Sequence, residues 1–111
     1  MEENQKISRI IEQFSLYLLD NAIDNFTFKI KKTRKLTSLL FECDKPDEEM
    51  LQEINNTFKL ERRSELETYG WELIGQGNAD SELSLLGMLV NYFTYYLRDG
   101  NVYFNLVRYE D

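Results

Sequence analysis

The chain has 111 residues, the usual size of one domain, and 42% of them are apolar, enough to build a core. Thirteen basic residues against 20 acidic ones leave a net charge of −7, which disfavours general binding to nucleic acid or an anionic membrane. There is no histidine, and Cys43 is the sole cysteine, so Ser–His–Asp and Cys–His catalysis, His/Cys zinc sites and an internal disulfide are all excluded.

The opening stretch MEENQKISRI has neither an arginine-rich nor an apolar signal segment. No apolar run approaches the roughly 18 residues that cross a bilayer. A single cytoplasmic domain over 1–111 is expected. The first element is a helix over 5–25, in which Ile7, Ile10, Ile11, Phe14, Leu18 and Ala22 recur at helical spacing. Leu16, Tyr17, Leu19 and Ile23 widen its apolar surface, which suggests either deep packing or sharing with a second subunit. At Asn25 the period changes to two: Phe26, Phe28 and Ile30 alternate with Thr27, Lys29 and Lys31, as in a half-buried strand. A polar turn at Thr33–Lys35 leads to a second strand, Leu36 to Cys43.

Pro46 ends that strand, and Asp44 or Asp47 caps a helix over 47–60 whose stripe is Met50, Leu51, Ile54 and Phe58. From Leu60 to Ile74 the pattern decides nothing, and Gly75–Asn78 is a loop. A short helix follows over 81–91, with Leu83, Leu86 and Val90 on one face. Tyr92–Arg98 and Asn101–Tyr109 flank Asp99-Gly100, the dipeptide of a type I′ hairpin turn. That turn dictates a register in which Leu97 opposes Val102, Tyr95 opposes Phe104 and Phe93 opposes Leu106. All three pairs are apolar. The other face then carries Tyr92, Tyr96 opposite Tyr103, and Tyr109. Two hairpins covered by helices make an α+β two-layer sandwich on a four-stranded mixed or antiparallel sheet.

This order of elements, with three short stretches, resembles a reduced ATPase domain of the GHKL family, that of histidine kinases and anti-sigma-factor kinases. Leu18-Leu19-Asp20-Asn21-Ala22-Ile23 is similar to the family's asparagine helix. Phe41-Glu42-Cys43-Asp44 is similar to the strand that ends in its adenine-reading aspartate, and Leu83–Val90 to the helix after its glycine-rich lid. The resemblance implies Asn21 as a magnesium ligand and Asp44 as an adenine contact, with Mg-ATP as the cofactor. The chain departs from the family where ATP is touched. Tyr17 stands in place of the general-base glutamate, Lys45-Pro46-Asp47 in place of the first Gly-x-Gly, and Asp80-Ser81-Glu82 in place of the phosphate-wrapping glycines.

Each candidate also has a plain structural role. Asn21 suits a helix end, Asp44 an N-cap and Cys43 a strand interior. Lys29, Lys31, Lys32, Arg34 and Lys35 place five cations within seven residues, as an RNA-binding hairpin would. The alternation, however, turns Phe26 and Phe28 to the core, so the run reads as a solvated strand face. Tyr92, Tyr96, Tyr103 and Tyr109 form either a protein interface or a surface covered by residues 61–74 with Trp71. The expectation is a small regulatory or adaptor module that has lost nucleotide chemistry and needs no cofactor, with enzymatic activity left open and Mg-ATP kept for the kinase alternative. It would bind another protein or a second copy through Phe14 and Leu18 of the first helix, or through the tyrosines. An anti-sigma-factor-type serine kinase and an RNA-binding module are the alternatives.

Overall fold

The computed structural model describes residues 3–57, 86–87 and 89–110. Expectations for residues 58–85, including the 60–74 segment, the Gly75–Asn78 loop and Asp80-Ser81-Glu82, lie outside the described residues. The elements are α1 (Glu3–Asp20), β1 (Phe26–Lys32), β2 (Leu36–Asp44), α2 (Glu48–Thr57), β3 (Tyr92–Arg98) and β4 (Asn101–Tyr109). Leu86, Gly87 and Leu89 are helical, and Val90 has already left that conformation. The fold is α+β: among the described residues, α1 and α2 pack on an open four-stranded sheet that is antiparallel throughout, in the order β1-β2-β4-β3.

α1 ends five residues earlier than its apolar stripe suggests. Ala22 takes a left-handed φ of 64°, its N–H bonds to the Leu19 carbonyl at 3.1 Å, and Ile23 N–H reaches the Leu18 carbonyl at 3.0 Å. This pair of bonds is a Schellman stop, here built on alanine instead of glycine. Ala22 is therefore an exposed cap residue and not part of the buried face, while Ile23 packs against the core.

Alternation decides which sheet face is covered. Thr37, Leu39, Phe41 and Cys43 of β2 and Val102, Phe104, Leu106 and Arg108 of β4 are buried on the face toward the helices. Phe14 of α1 sits on this face with its ring 4.8 Å from Phe41 and 5.4 Å from Phe104. Met50, Leu51 and Ile54 of α2, with Leu86, Leu89 and Val90, complete the core. Phe28 and Ile30 share the inner face, yet they are 43% and 50% exposed because they lie on an edge strand.

Among the described residues, Arg108 is the one cation buried in this core. Its Nε and Nη2 donate to the two Glu3 carboxylate oxygens at 2.6 and 3.1 Å, and its Nη1 donates to the Leu89 carbonyl at 2.7 Å. At the other end of the core Asp47, not Asp44, is the N-cap of α2, since its Oδ1 accepts the Met50 N–H at 2.8 Å. The closing hairpin has the register expected from its turn, including Tyr96 opposite Tyr103. Asp99 (φ 53°) and Gly100 (φ 83°) both have positive φ, as a type I′ turn requires.

A Cβ at Gly100 would touch nothing within 4 Å, so substitution there is penalised through φ alone. Gly100→Val is expected to lose about 1–3 kcal/mol in chemical denaturation, the range for a strained backbone site. A neutral result would mean that the hairpin can turn elsewhere.

Candidate functional site

Asn21 and Asp44, which lie 23 positions apart in the chain, line the same cleft. It has a volume of about 430 Å³ and is walled by the α1 cap, the end of β2 and the start of α2. The Schellman stop turns the chain so that Asn21 faces this space, and β2 delivers Asp44 as its last residue. The Asn21 amide is engaged: Nδ2 donates to the Tyr17 carbonyl at 2.8 Å, closing the helix end.

The electrostatics of the cleft oppose a phosphate. Among the described residues, Asp24, Asp44 and Asp47 line it, against one cation, Lys45, whose ammonium lies 3.1 Å from Glu48. Among the described residues, no three acidic groups come close enough together to hold a metal ion. Tyr17 occupies the place of the base that the resemblance implies. Burial, then the charges of Glu53 and Asp47, pushes its phenol up to about 12, so it keeps its proton at neutral pH. Its hydroxyl is buried and has no hydrogen-bond partner. The described residues of this cleft do not fit Mg-ATP.

Cys43 is buried next to this cleft. Burial, then Asp44 and Glu42, raises its thiol to about 11, so it is a protonated core residue and not a nucleophile.

Phe14 and Leu18, expected on a partner surface, are both 0% exposed and belong to the chain's own core. The apolar surface that α1 does present is Leu16 and Leu19, at 42% and 49% exposure. The tyrosines are placed differently. Tyr92, Tyr96 and Tyr109 are about half exposed, at 53%, 49% and 48%. With Tyr103 they lie on the sheet face opposite the core residues, as the alternation of β3 and β4 dictates.

That outer face has internal order. The Tyr96 and Tyr103 rings stack at 4.9 Å with only 7° between their planes. Tyr103 OH and Asn101 Nδ2 both donate to Glu42 Oε2 at 3.0 Å, and Ser38 donates to Asn105 Oδ1 at 3.0 Å. The bond to Glu42 raises the Tyr103 phenol above its ordinary value. Lys29 and Lys31 of β1 lie on this same face, because they pair in register with Leu40 and Ser38. Phe26 and Phe28 of the same strand face the core side, as the alternation predicts. The pattern that puts the tyrosines with the lysines becomes visible only when β4 is known to pair with β2.

No helix among the described residues is long and apolar enough to cross a membrane. No family model, no curated protein and no solved structure matches this chain.

Proposed function

We propose that the chain is a cytoplasmic, non-catalytic regulatory or adaptor module that works by binding another protein on the outer face of its sheet. One observation carries this: tyrosines about half exposed are gathered on a single ordered sheet face. Tyrosine is enriched in interface cores, where a large rigid ring brings area at little entropic cost. The face also gathers cations of an acidic chain. Lys29, Lys31 and Arg98 lie on it, while the Glu42 carboxylate is engaged by Asn101 and Tyr103 and Asp44 stands at the end of β2. Its complement is an acidic protein surface.

A photo-crosslinking phenylalanine analogue at Tyr109 should capture one defined protein in cells, whereas the same analogue at Glu12, on the exposed side of α1, should not. Equal capture at both positions, or at neither, would count against this surface.

The GHKL resemblance supports a regulatory setting, and its kinase alternative makes a distinct claim. Millimolar Mg-ATP is expected to leave the melting temperature unchanged. A ligand at 100 times its Kd would stabilise by roughly 2.7 kcal/mol, an easily measured rise. Such a rise, abolished by Asn21→Ala, would replace the adaptor with a nucleotide-binding kinase.

A second reading is favoured by the lysines that share the face with the stacked tyrosines, the combination that binds single-stranded RNA. Its mark would be salt-sensitive anisotropy of a labelled oligonucleotide, lost on Lys29→Glu with Lys31→Glu. The overall charge of −7 weighs against it.

A further inference from the structure

The two edges of the sheet are treated very differently by the sequence. An edge strand presents unpaired N–H and C=O groups to any strand that approaches, and proteins block this with lysine, proline or a bulge. β1 is blocked: it carries Lys29, Lys31 and Lys32 within seven residues. β3 carries a charge only at its last residue, Arg98. Residues 92–97 read Tyr-Phe-Thr-Tyr-Tyr-Leu without a charge or a proline, and their register with β4 runs unbroken from Tyr92 to Arg98. Among the described residues no strand lies outside β3. Leu97, which alternation turns to the core face, is 49% exposed at this edge.

We infer that β3 pairs antiparallel with β3 of a second copy, across a two-fold axis at Tyr96, to give a continuous eight-stranded sheet. The backbone sets the parity. The two-residue turn makes Arg98 and Asn101 a hydrogen-bonded pair, so the amides of Tyr95 and Leu97 point away from β4 toward the open edge. An axis at Tyr96 sets Tyr95 opposite Leu97 of the second copy, a hydrogen-bonded pair that covers the exposed leucine with an aromatic ring. It sets Thr94 opposite Arg98 and Tyr96 opposite Tyr96, so no like charges meet. The existing stack of Tyr96 on Tyr103 then extends into a row of four tyrosines across the dimer. The same operation on β1, centred on Lys29, sets Lys29 against Lys29 of the second copy. The pairing concerns the edge of the sheet and stands whether or not the outer face binds a partner.

Sedimentation equilibrium of the wild-type chain should show reversible dimerisation with rising concentration. Tyr96→Lys, which places two ammonium groups across the axis on an exposed site, should return the monomer mass with an unchanged circular dichroism spectrum. Tyr96→Cys should form an intermolecular disulfide under mild oxidation, because Cβ atoms opposed at a non-hydrogen-bonded site lie about 4.5–5.5 Å apart. Thr94→Cys, displaced along the strand from the axis, should not. A wild-type chain that is monomeric at millimolar concentration overturns the pairing. So does a dimer that persists in Tyr96→Lys and fails to cross-link through position 96, which would place the contact elsewhere, as on Leu16 and Leu19.

Discussion

Arg108→Ala should destabilise the fold by about 3 kcal/mol, measured as a shift of the urea midpoint at unchanged slope. The guanidinium side chain is 2% exposed and makes a bidentate bond to Glu3, whose own side chain is 20% exposed. Breaking a fully buried ion pair costs about 3–5 kcal/mol. The lower end applies because water can partly reclaim the Glu3 carboxylate once its partner is gone. The Leu89 carbonyl also loses the donor that Nη1 supplies at 2.7 Å. Glu3→Ala should be as damaging, since it strands the guanidinium in the core. Replacing both together, as Glu3→Leu with Arg108→Met, should recover most of the loss, because a packed apolar pair replaces a buried ionic one at little net change. A cost below about 1 kcal/mol for Arg108→Ala would put the pair in the range of screened surface bridges.

Arg108 also shows where sequence legibility stops. The alternation of Val102, Phe104 and Leu106 sends position 108 inward as well, but a charged residue near the chain end reads as solvated. Its partner Glu3 is 105 residues away, so no local signal links the two. The closing hairpin lies at the opposite extreme. Asp99-Gly100 fixes the turn, the turn fixes the register, and the register fixes both faces, all within eighteen residues. Strand order belongs to neither category. Periodicity says which face of β4 is buried and nothing about which strand lies beside it, so the central position of β4 was not readable.

The cleft is not legible in local sequence patterns. Spacing and composition give no reason to associate Asn21 with Asp44, and it is the fold that brings the two to one cavity. Its chemistry follows from the residues that line it. Asp47, which caps α2, adds a carboxylate beside Asp44, and the nearby Tyr17 is a phenol that holds its proton. Asn21 has a structural role of its own, because its amide closes α1 through the Tyr17 carbonyl.

Phe14→Ala should cost about 3–5 kcal/mol of stability and leave the oligomeric state unchanged. The ring is 0% exposed and packs between Phe41 and Phe104, at 4.8 and 5.4 Å. Removing it opens a cavity between α1 and the two central strands, where the backbone of a hydrogen-bonded sheet cannot collapse to fill the space. The measurement separates two roles that the apolar width of α1 leaves open in the sequence. A residue on a partner surface would lose association and keep the monomer stable, whereas a core residue does the reverse. Leu19 provides the comparison. At 49% exposure, Leu19→Ser should stay within about 0.5 kcal/mol of the parent in denaturation. If Phe14→Ala instead unfolds at nearly the parental midpoint while the dimer falls apart, α1 is the interface. The β3 edge would then have to be covered in some other way.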